Sequence, residues 1–315
     1  MIKRRIKTLK IKDVKHLAMH LGTTPKELRK ICDIIDNSPS NYYIQWEKKF
    51  KNGKIRPMVD IRGRLRNVLD RLNYLLQKIA LPEYIHGGVP NKSTRTNAMP
   101  HTDKDMILCM DIEKHFPRVS PKKVYDMFSK YQECSPEVAR ILTRLTTLNG
   151  GLPQGSPTST SISNLVTLNL SKRLNGFAKV RGIKCTQYVD DYTFSGRTKI
   201  EQLKHQIAKI IEQEGFKVNL SKTKSVESSR EQIVTGIRVN GPQIDVPKLY
   251  LKKVRSEIKS LKQNASQERH NALYTKEMKS LEGKINYVSQ FNPGAAKYLR
   301  KQLQHIVRDL RVCHN

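Results

Sequence analysis

Three aspartates carry the chemistry that this sequence can support. Asp190 and Asp191 are adjacent and lie between β-prone residues, Cys185, Thr186, Tyr188 and Val189 before them and Tyr192, Thr193 and Phe194 after. The pattern predicts strand, tight turn, strand, with the acidic pair at the tip. Neighbouring side chains on a hairpin point differently, so one of the pair is expected to ligate a metal more directly than the other. Asp-Asp alone is also ordinary turn chemistry. Asp111 shifts that balance. It ends the apolar run Met106–Met110, which predicts a strand buried on both faces. An ionised carboxylate there is costly unless something positive holds it, and a pair of divalent cations would do so. Two-metal phosphoryl transfer needs carboxylates from separate strands converging on ions about 3.5–4 Å apart. Mg²⁺ takes oxygen ligands and is commonly shared between carboxylates and phosphates, so it suits this set.

The elements that must position these residues can be read in order. Val14, Leu17, Ala18 and Leu21 recur at helical spacing, and Gly22 ends that helix. Thr24-Pro25 opens a second one with Leu28, Ile31, Cys32 and Ile35 as its apolar face. A helix pair of this kind can read DNA, but a packing role is the commoner use. Residues 41–61 predict a β-hairpin turning at Asn52-Gly53, with Lys54 and Arg56 on one face of its second strand. A helix is expected over Arg66–Ile79 and a loop over 84–105. Residues 121–148 read as helices opening at Ser120-Pro121. Further helices are expected over Ser161–Leu174 and 200–214, and a strand over Gln232–Val239. Helices and strands alternating on an antiparallel hairpin core give an α+β fold class. From Pro247 the chain predicts three amphipathic helices.

Composition sets the partner class. The 315 residues include 59 Lys+Arg against 28 Asp+Glu, a net charge of +31. Such an excess calls for a polyanion, and its spread along the chain favours nucleic acid over a membrane surface. Residues 248–315 alone hold 15 Lys+Arg and five Asp+Glu, a net of +10. The five cysteines are scattered with no Cys-x-x-Cys, which argues against a disulfide framework or a zinc site. No apolar run reaches membrane-spanning length and no apolar segment follows the basic N-terminus, so a cytoplasmic protein is expected.

The motifs in sequence carry a resemblance. Asp111 followed by Phe116, then Leu152-Pro153-Gln154-Gly155-Ser156-Pro157, then Tyr188-Val189-Asp190-Asp191, resembles a reverse transcriptase. Asn97-Ala98-Met99-Pro100-His101 and Val234-Thr235-Gly236 resemble the Asn-Ala-x-x-His and Val-Thr-Gly signatures of bacterial retron reverse transcriptases. The resemblance implies a right-hand polymerase fold. Its fingers would be residues 1–105 and its antiparallel palm 106–246, with a fingers insertion at about 121–150. A basic helical thumb would follow over 247–315. It implies Asp111, Asp190 and Asp191 as catalytic ligands of two Mg²⁺ ions, which Mn²⁺ can replace, with the Ile112 carbonyl completing a site. Lys54 and Arg56 would contact the triphosphate. Phe116 would exclude a ribose 2′-OH, and Gln154 and Gly155 would back the nucleotide. Lys222 would protonate pyrophosphate, although Lys224 fits the pattern too. RNA contacts are expected at Asn97, His101, Lys252, Lys253, Arg255, Lys284, Tyr287, Arg300 and Lys301.

The implied activity is RNA-directed DNA synthesis. Part of a cognate non-coding RNA of the msr–msd type would be copied from dNTPs, primed by an RNA 2′-OH, into branched RNA-linked DNA (msDNA). Expected partners are that RNA, the RNA/DNA hybrid, host RNase H for template removal and an effector protein in antiviral defence. Two other readings stay open at this point. One is a reverse transcriptase of the intron or abortive-infection type. The other is an RNA-binding scaffold of a defence complex, against which the intact aspartate set argues.

Overall fold

The computed structural model describes residues 6–50, 53, 55–197, 199–264 and 272–312; at 264, 272, 273 and 307–312 it describes the backbone only. Asn52, Lys54 and Cys313 therefore lie outside the described residues. The chain forms two compact units, residues 1–97 with 106–225, and 98–105 with 226–315.

In the first unit, α1 (Val14–Leu21) is capped by the Asp13 carboxylate, which accepts from the His16 amide, and ends at Gly22 in the left-handed region. α2 (Pro25–Asn37) starts from Thr24 and turns Leu28, Ile31, Cys32 and Ile35 inward. The pair packs on the unit's core, as expected for a packing element. β1 (Tyr43–Lys49) and β2 (Ile55–Ile61) form the antiparallel hairpin, pairing Tyr43 with Ile61 and Lys48 with Arg56. α3 (Gly63–Leu76) begins and ends earlier than its periodicity predicts. Its expected last residue, Ile79, instead pairs with Ile6.

The region expected as loop is more ordered than its composition suggests. Tyr84–Gly87 forms a strap along a strand edge, and α4 (Thr94–Ala98) spans a unit boundary. β3 (Met106–Asp111) is followed by α5 (His115–Arg118), α6 (Pro121–Asp126) and α7 (Pro136–Thr146). The helix expected over Ser161–Leu174 is two, α8 (Ser159–Val166) and α9 (Leu168–Lys179). The break falls in a Ser/Thr-rich stretch where the Thr167 and Ser171 hydroxyls bond back to the carbonyls of Ser163 and Thr167, both at 2.9 Å. Such back-bonding bends helices. β4 (Lys184–Tyr188) and β5 (Asp191–Gly196) form a hairpin, and β3 pairs antiparallel with β5, giving the order β4-β5-β3. α10 (Lys204–Gln213) closes this unit's helices, and β6 (Lys224–Glu227) crosses into the second.

In the second unit the strand expected over Gln232–Val239 is a tight hairpin, β7 (Ile233–Val234) and β8 (Ile237–Arg238). Thr235 and Gly236 both take positive φ, +47° and +81°, which is the mirror-image turn that matches strand twist. Three helices follow: α11 (Lys248–Asn264), α12 (Ala272–Ser289) and α13 (Pro293–Val312). Val254, Ile258, Leu261, Leu281, Ile285, Val288, Leu299, Leu303 and Ile306 form their separate core. Among the described residues no helix is long and apolar enough to cross a membrane.

Two buried histidines of the first unit, His86 on the strap and His115 on α5, should make its stability depend on pH. His86 is buried, with its Nδ1 3.0 Å from the Thr96 hydroxyl. Desolvation, and secondarily Lys92, lower its pKa to about 4, and desolvation does the same to buried His115. Both are neutral in the fold, and the unfolded chain takes up their protons first, near the ordinary value of about 6.5. Stability should therefore fall as pH drops through the window from about 6.5 to about 4. Replacing His86 by Asn should flatten the dependence of melting temperature on pH across that window. An unchanged slope would show that His86 does not contribute.

Candidate active site

The register of two strands builds the acidic cluster. β3 pairs with β5 so that Asp111 lies opposite Asp191. Tyr188 pairs with Asp191 to close the β4–β5 hairpin, leaving Val189 and Asp190 as a two-residue turn. Carboxylate oxygens of all three aspartates lie within 4.8 Å of one another. Asp111 is buried, Asp190 is half-buried and Asp191 is open to solvent. Backbone bonds lock the surroundings: the Ile112 amide donates to the Asp190 carbonyl at 3.0 Å, and the Asn219 amide to the Asp111 carbonyl at 2.8 Å.

Such crowding is electrostatically unfavourable. Desolvation, then Asp111, raise the Asp190 pKa; desolvation, then Asp190 and Asp111, hold Asp191 well above the usual carboxylate range. One counter-charge is in place, since Lys222 Nζ donates to Asp111 Oδ2 at 2.6 Å. Lys224, the alternative named by the motif, is exposed on β6. The donor set is all oxygen, with three carboxylates from two strands and their turn, which suits a hard divalent cation. A cation held here would compete with Lys222 for Asp111.

The turn itself is strained. Val189 has φ +60°, an uncommon conformation for a β-branched residue. A buried polar network holds it. Gln187 Nε2 donates to the Val189 carbonyl at 2.9 Å and to the Thr167 hydroxyl at 3.1 Å, and Gln187 Oε1 accepts from the Ser171 hydroxyl at 2.5 Å. The same Ser171 hydroxyl lies 3.1 Å from the Tyr192 hydroxyl. From the other side, the strap pairs with β4: the Gln187 amide donates to the Tyr84 carbonyl and the His86 amide to the Gln187 carbonyl, both at 2.8 Å. Gly87 then abuts the turn. A Cβ at Gly87 would lie 2.6 Å from the Val189 nitrogen, so only glycine fits. Asn164 on α8 donates to the Gly87 carbonyl at 2.8 Å.

The residues expected to hold a nucleotide converge on the same unit. Arg56 on β2 is close enough to favour the ionised form of Asp190. The Gln154 carbonyl accepts from the Val59 amide of β2 at 2.8 Å. Gly155, at φ +124°, comes so near that a Cβ would lie 2.1 Å from the Val59 carbonyl oxygen. Phe116 is half-buried, and its carbonyl accepts from the Leu152 amide at 3.0 Å. Neighbouring His115 is buried and hydrogen-bonds the Ser163 hydroxyl, which ties this turn to α8. Lys54 is outside the described residues.

The expected RNA contacts differ in exposure. Asn97, in the first unit, and His101, in the second, are both buried. In the second unit Lys252, Lys253, Arg255 and Lys301 are exposed. Lys284 is paired with Glu257 at 2.5 Å, and Arg300 donates to Asn286 Oδ1 at 2.8 Å. Tyr287 is half-buried, in ring contact with Tyr250 and Phe291.

Sequence reasoning missed Gln187, Asn164, Thr167, Ser171 and Gly87. Gln187 had a readable signal: an amide inside an otherwise apolar and β-branched strand must find partners if buried.

Comparison with known proteins gives concordant matches. The family described as reverse transcriptase (RNA-dependent DNA polymerase) matches residues 47–282. The retron Se72 reverse transcriptase of Salmonella heidelberg (strain 579083-10) is 30% identical over 292 residues, covering 89% of this chain and 76% of that protein. The retron Mx65 reverse transcriptase of Myxococcus xanthus is 28% identical over 306 residues, covering 91% and 70%. Among solved structures, a foamy viral protease-reverse transcriptase in complex with double-stranded DNA aligns with 98% of this chain and 50% of its own, at 16% identity and a TM-score of 0.47.

If the polar network sets the carboxylate geometry, the acidic cluster should respond to it. Gln187→Leu removes the bonds to Val189, Thr167 and Ser171 at similar volume. It should weaken Mn²⁺ binding, read by electron paramagnetic resonance, by about tenfold, the scale of outer-shell effects on metal sites. Ser171→Ala spares the bond to Val189 and should bind Mn²⁺ nearly as the parent does. Equal affinity for Mn²⁺ in the parent and Gln187→Leu would refute the role.

Proposed function

The chain belongs to the reverse transcriptase family and is an RNA-directed DNA polymerase of the retron type; from that premise we propose how its residues divide the reaction. The observation that carries the proposal is the convergence of Asp111, Asp190 and Asp191 within 4.8 Å. We assign these three, with the Ile112 carbonyl, as the ligands of two Mg²⁺ ions, for which Mn²⁺ can stand in. The bound ions supply activation of the primer hydroxyl and neutralisation of charge on the transferred phosphate.

The remaining steps belong to the protein. Lys54, together with Arg56 on β2, binds the triphosphate. Gln154 and Gly155 back the incoming nucleotide, which the close approach of that loop to β2 supports. Phe116 lies under the sugar and excludes a 2′-OH. Lys222 leaves Asp111 as cations bind and protonates the departing pyrophosphate; its contact with Asp111 supports this choice over Lys224. In the division of labour, residues 1–105 act as fingers, 106–246 as palm with an insertion at about 121–150, and 247–315 as thumb. The substrate is part of a cognate non-coding RNA, primed at an internal 2′-OH, and the product is RNA-linked DNA. The exposed cations Lys252, Lys253, Arg255 and Lys301 contact that RNA, whereas Asn97 and His101 are buried and are not assigned to it. The enzyme works in the cytoplasm, with host RNase H removing template and an effector protein completing an antiviral system.

Two substitutions test the assignment. Asp190→Asn should lower primer extension by more than about a hundredfold, with RNA binding and melting temperature close to the parent's. Full Mg²⁺-dependent synthesis by this variant would sink the two-ion scheme.

Phe116→Ala should lower the preference for dNTP over NTP by about tenfold or more, since a cavity replaces the ring that excludes the hydroxyl. The ratio of kcat/KM for matched dNTP and NTP pairs measures it. An unchanged ratio would place the sugar gate on another residue.

A further inference from the structure

Lys114 turns the chain from the end of β3 into α5 with φ at +48°, a conformation that non-glycine residues keep only where their surroundings hold it. The backbone just beyond is gripped by the loop before α8. The Leu152 amide donates to the Phe116 carbonyl at 3.0 Å, and Gly151 packs so closely that a Cβ there would lie 2.8 Å from the Pro117 Cα. These contacts fix the main chain of Phe116. They leave its half-buried ring to be directed by its neighbours. His115 is a neighbour in ring contact. Its imidazole meets the Phe116 ring edge-on, with centroids 5.6 Å apart, and also lies 5.7 Å from the ring of buried Phe216.

Two observations give His115 more than a space-filling role. First, a polar ring is a costly choice at this position. His115 is buried, its Nε2 hydrogen-bonds the Ser163 hydroxyl of α8, and its Nδ1 is buried with no partner among the described residues. A buried polar atom left unpaired is destabilising. Phenylalanine would fill nearly the same space, keep the ring contacts and leave no such atom. The Ser163 hydroxyl could then bond back to a carbonyl of the preceding helical turn. Stability alone therefore favours phenylalanine, and the bond to Ser163 is what histidine adds. Second, α8 serves both halves of the site. Next to Ser163, Asn164 donates to the Gly87 carbonyl at 2.8 Å, and Gly87 abuts the turn that carries Asp190. The imidazole thus joins the Phe116 ring to the helix that steadies the acidic turn.

We propose that His115 is a positioning residue for sugar selection: its bond to Ser163 fixes the plane of the imidazole, and the imidazole fixes the Phe116 ring against the 2′ position of the incoming nucleotide. This rests on the reading of Phe116 as the residue that excludes a 2′-OH, and it adds what keeps that ring in register with the aspartates. An imidazole tied at one edge by a hydrogen bond is restrained, whereas a phenylalanine in its place is free to tilt. A Phe116 ring backed by a freer neighbour yields to the hydroxyl instead of colliding with it. His115 acts through Phe116 and not on the reacting atoms. Loss of its bond should therefore change which sugar is accepted far more than how fast a deoxynucleotide is joined.

The test is single-nucleotide primer extension by the full chain on an annealed RNA template, with matched dNTP and NTP in separate reactions. His115→Phe and Ser163→Ala each remove the bond, from opposite ends. Each should lower the ratio of kcat/KM for dNTP over NTP about fivefold, the scale of one hydrogen bond, while kcat for the dNTP stays within twofold of the parent's. The melting temperature of His115→Phe should equal or exceed the parent's, which separates positioning from stability. The double variant His115→Phe, Ser163→Ala should lose no more than either change alone. Added to Phe116→Ala, His115→Phe should cause no further loss, because no ring is left to position. A parental ratio in His115→Phe or in Ser163→Ala would overturn the proposal. So would a ratio that falls only where the melting temperature falls with it, or a further drop on the Phe116→Ala background. The reading of Phe116 fails separately, if Phe116→Ala alone keeps the parental ratio.

Discussion

Three carboxylates within 4.8 Å repel one another, and the first unit is arranged around that repulsion. Left to itself the cluster would spread apart or take up protons, since burial first and the neighbouring carboxylates second raise the pKa values of Asp190 and Asp191. A flexible loop would let the side chains separate. Instead Asp111 and Asp191 are fixed by strand register, and Asp190 sits on a two-residue turn too short to move independently. The Lys222 ammonium offsets part of the charge at the buried end, on Asp111, where desolvation is most costly. The cluster is thus held in a conformation that cations favour and that its own charge opposes, and the rigidity must come from the surrounding protein.

That rigidity comes from backbone contacts made close by small residues. The strap Tyr84–Gly87 covers the open edge of β4 and presses Gly87 against the turn at Val189. The loop at Gly155 presses against Val59 in the same manner. One glycine contact places the acidic turn, and the other joins the Gln-Gly loop to the strand that carries Arg56. The acidic turn and the strand that carries Arg56 are therefore both fixed through main-chain geometry.

Much of this was legible in the sequence, and the reasons for the rest are physical. The apolar run ending at Asp111 and the Tyr-Val-Asp-Asp hairpin could be read because alternation and turn chemistry are local. The convergence of their carboxylates could be expected only from the order of motifs, since register between β3 and β5 is a long-range property. Periodicity ran through Thr167 without a break because the bend there comes from hydroxyl-to-carbonyl bonds, which leave no gap in an apolar pattern. The Val-Thr-Gly stretch read as continuous strand because β-branched residues dominate it, whereas two positive φ angles make it a turn. In the last three helices, counting cations located a basic surface but could not separate Lys284, committed to Glu257, from Lys259 and Lys262, which are not.

The choice of an amide at Gln187 follows from the same electrostatics. The position must donate to the Val189 carbonyl and accept from Ser171, so it needs both functions in one side chain. A glutamate would accept but would add a fourth negative charge beside a cluster that already holds three carboxylates. A lysine or arginine would donate, yet it would be a buried cation behind the carboxylates, competing for the field that must draw divalent ions to their front. Glutamine supplies direction without charge. Its neighbours obey the same restriction: Thr167, Ser171, Tyr192 and Asn164 are polar and neutral, and all are buried. Within a chain of net charge +31, the shell directly behind the acidic turn is therefore built from neutral hydrogen-bonding groups, so the field at the carboxylates is left to Lys222, Arg56 and the ligands that bind in front.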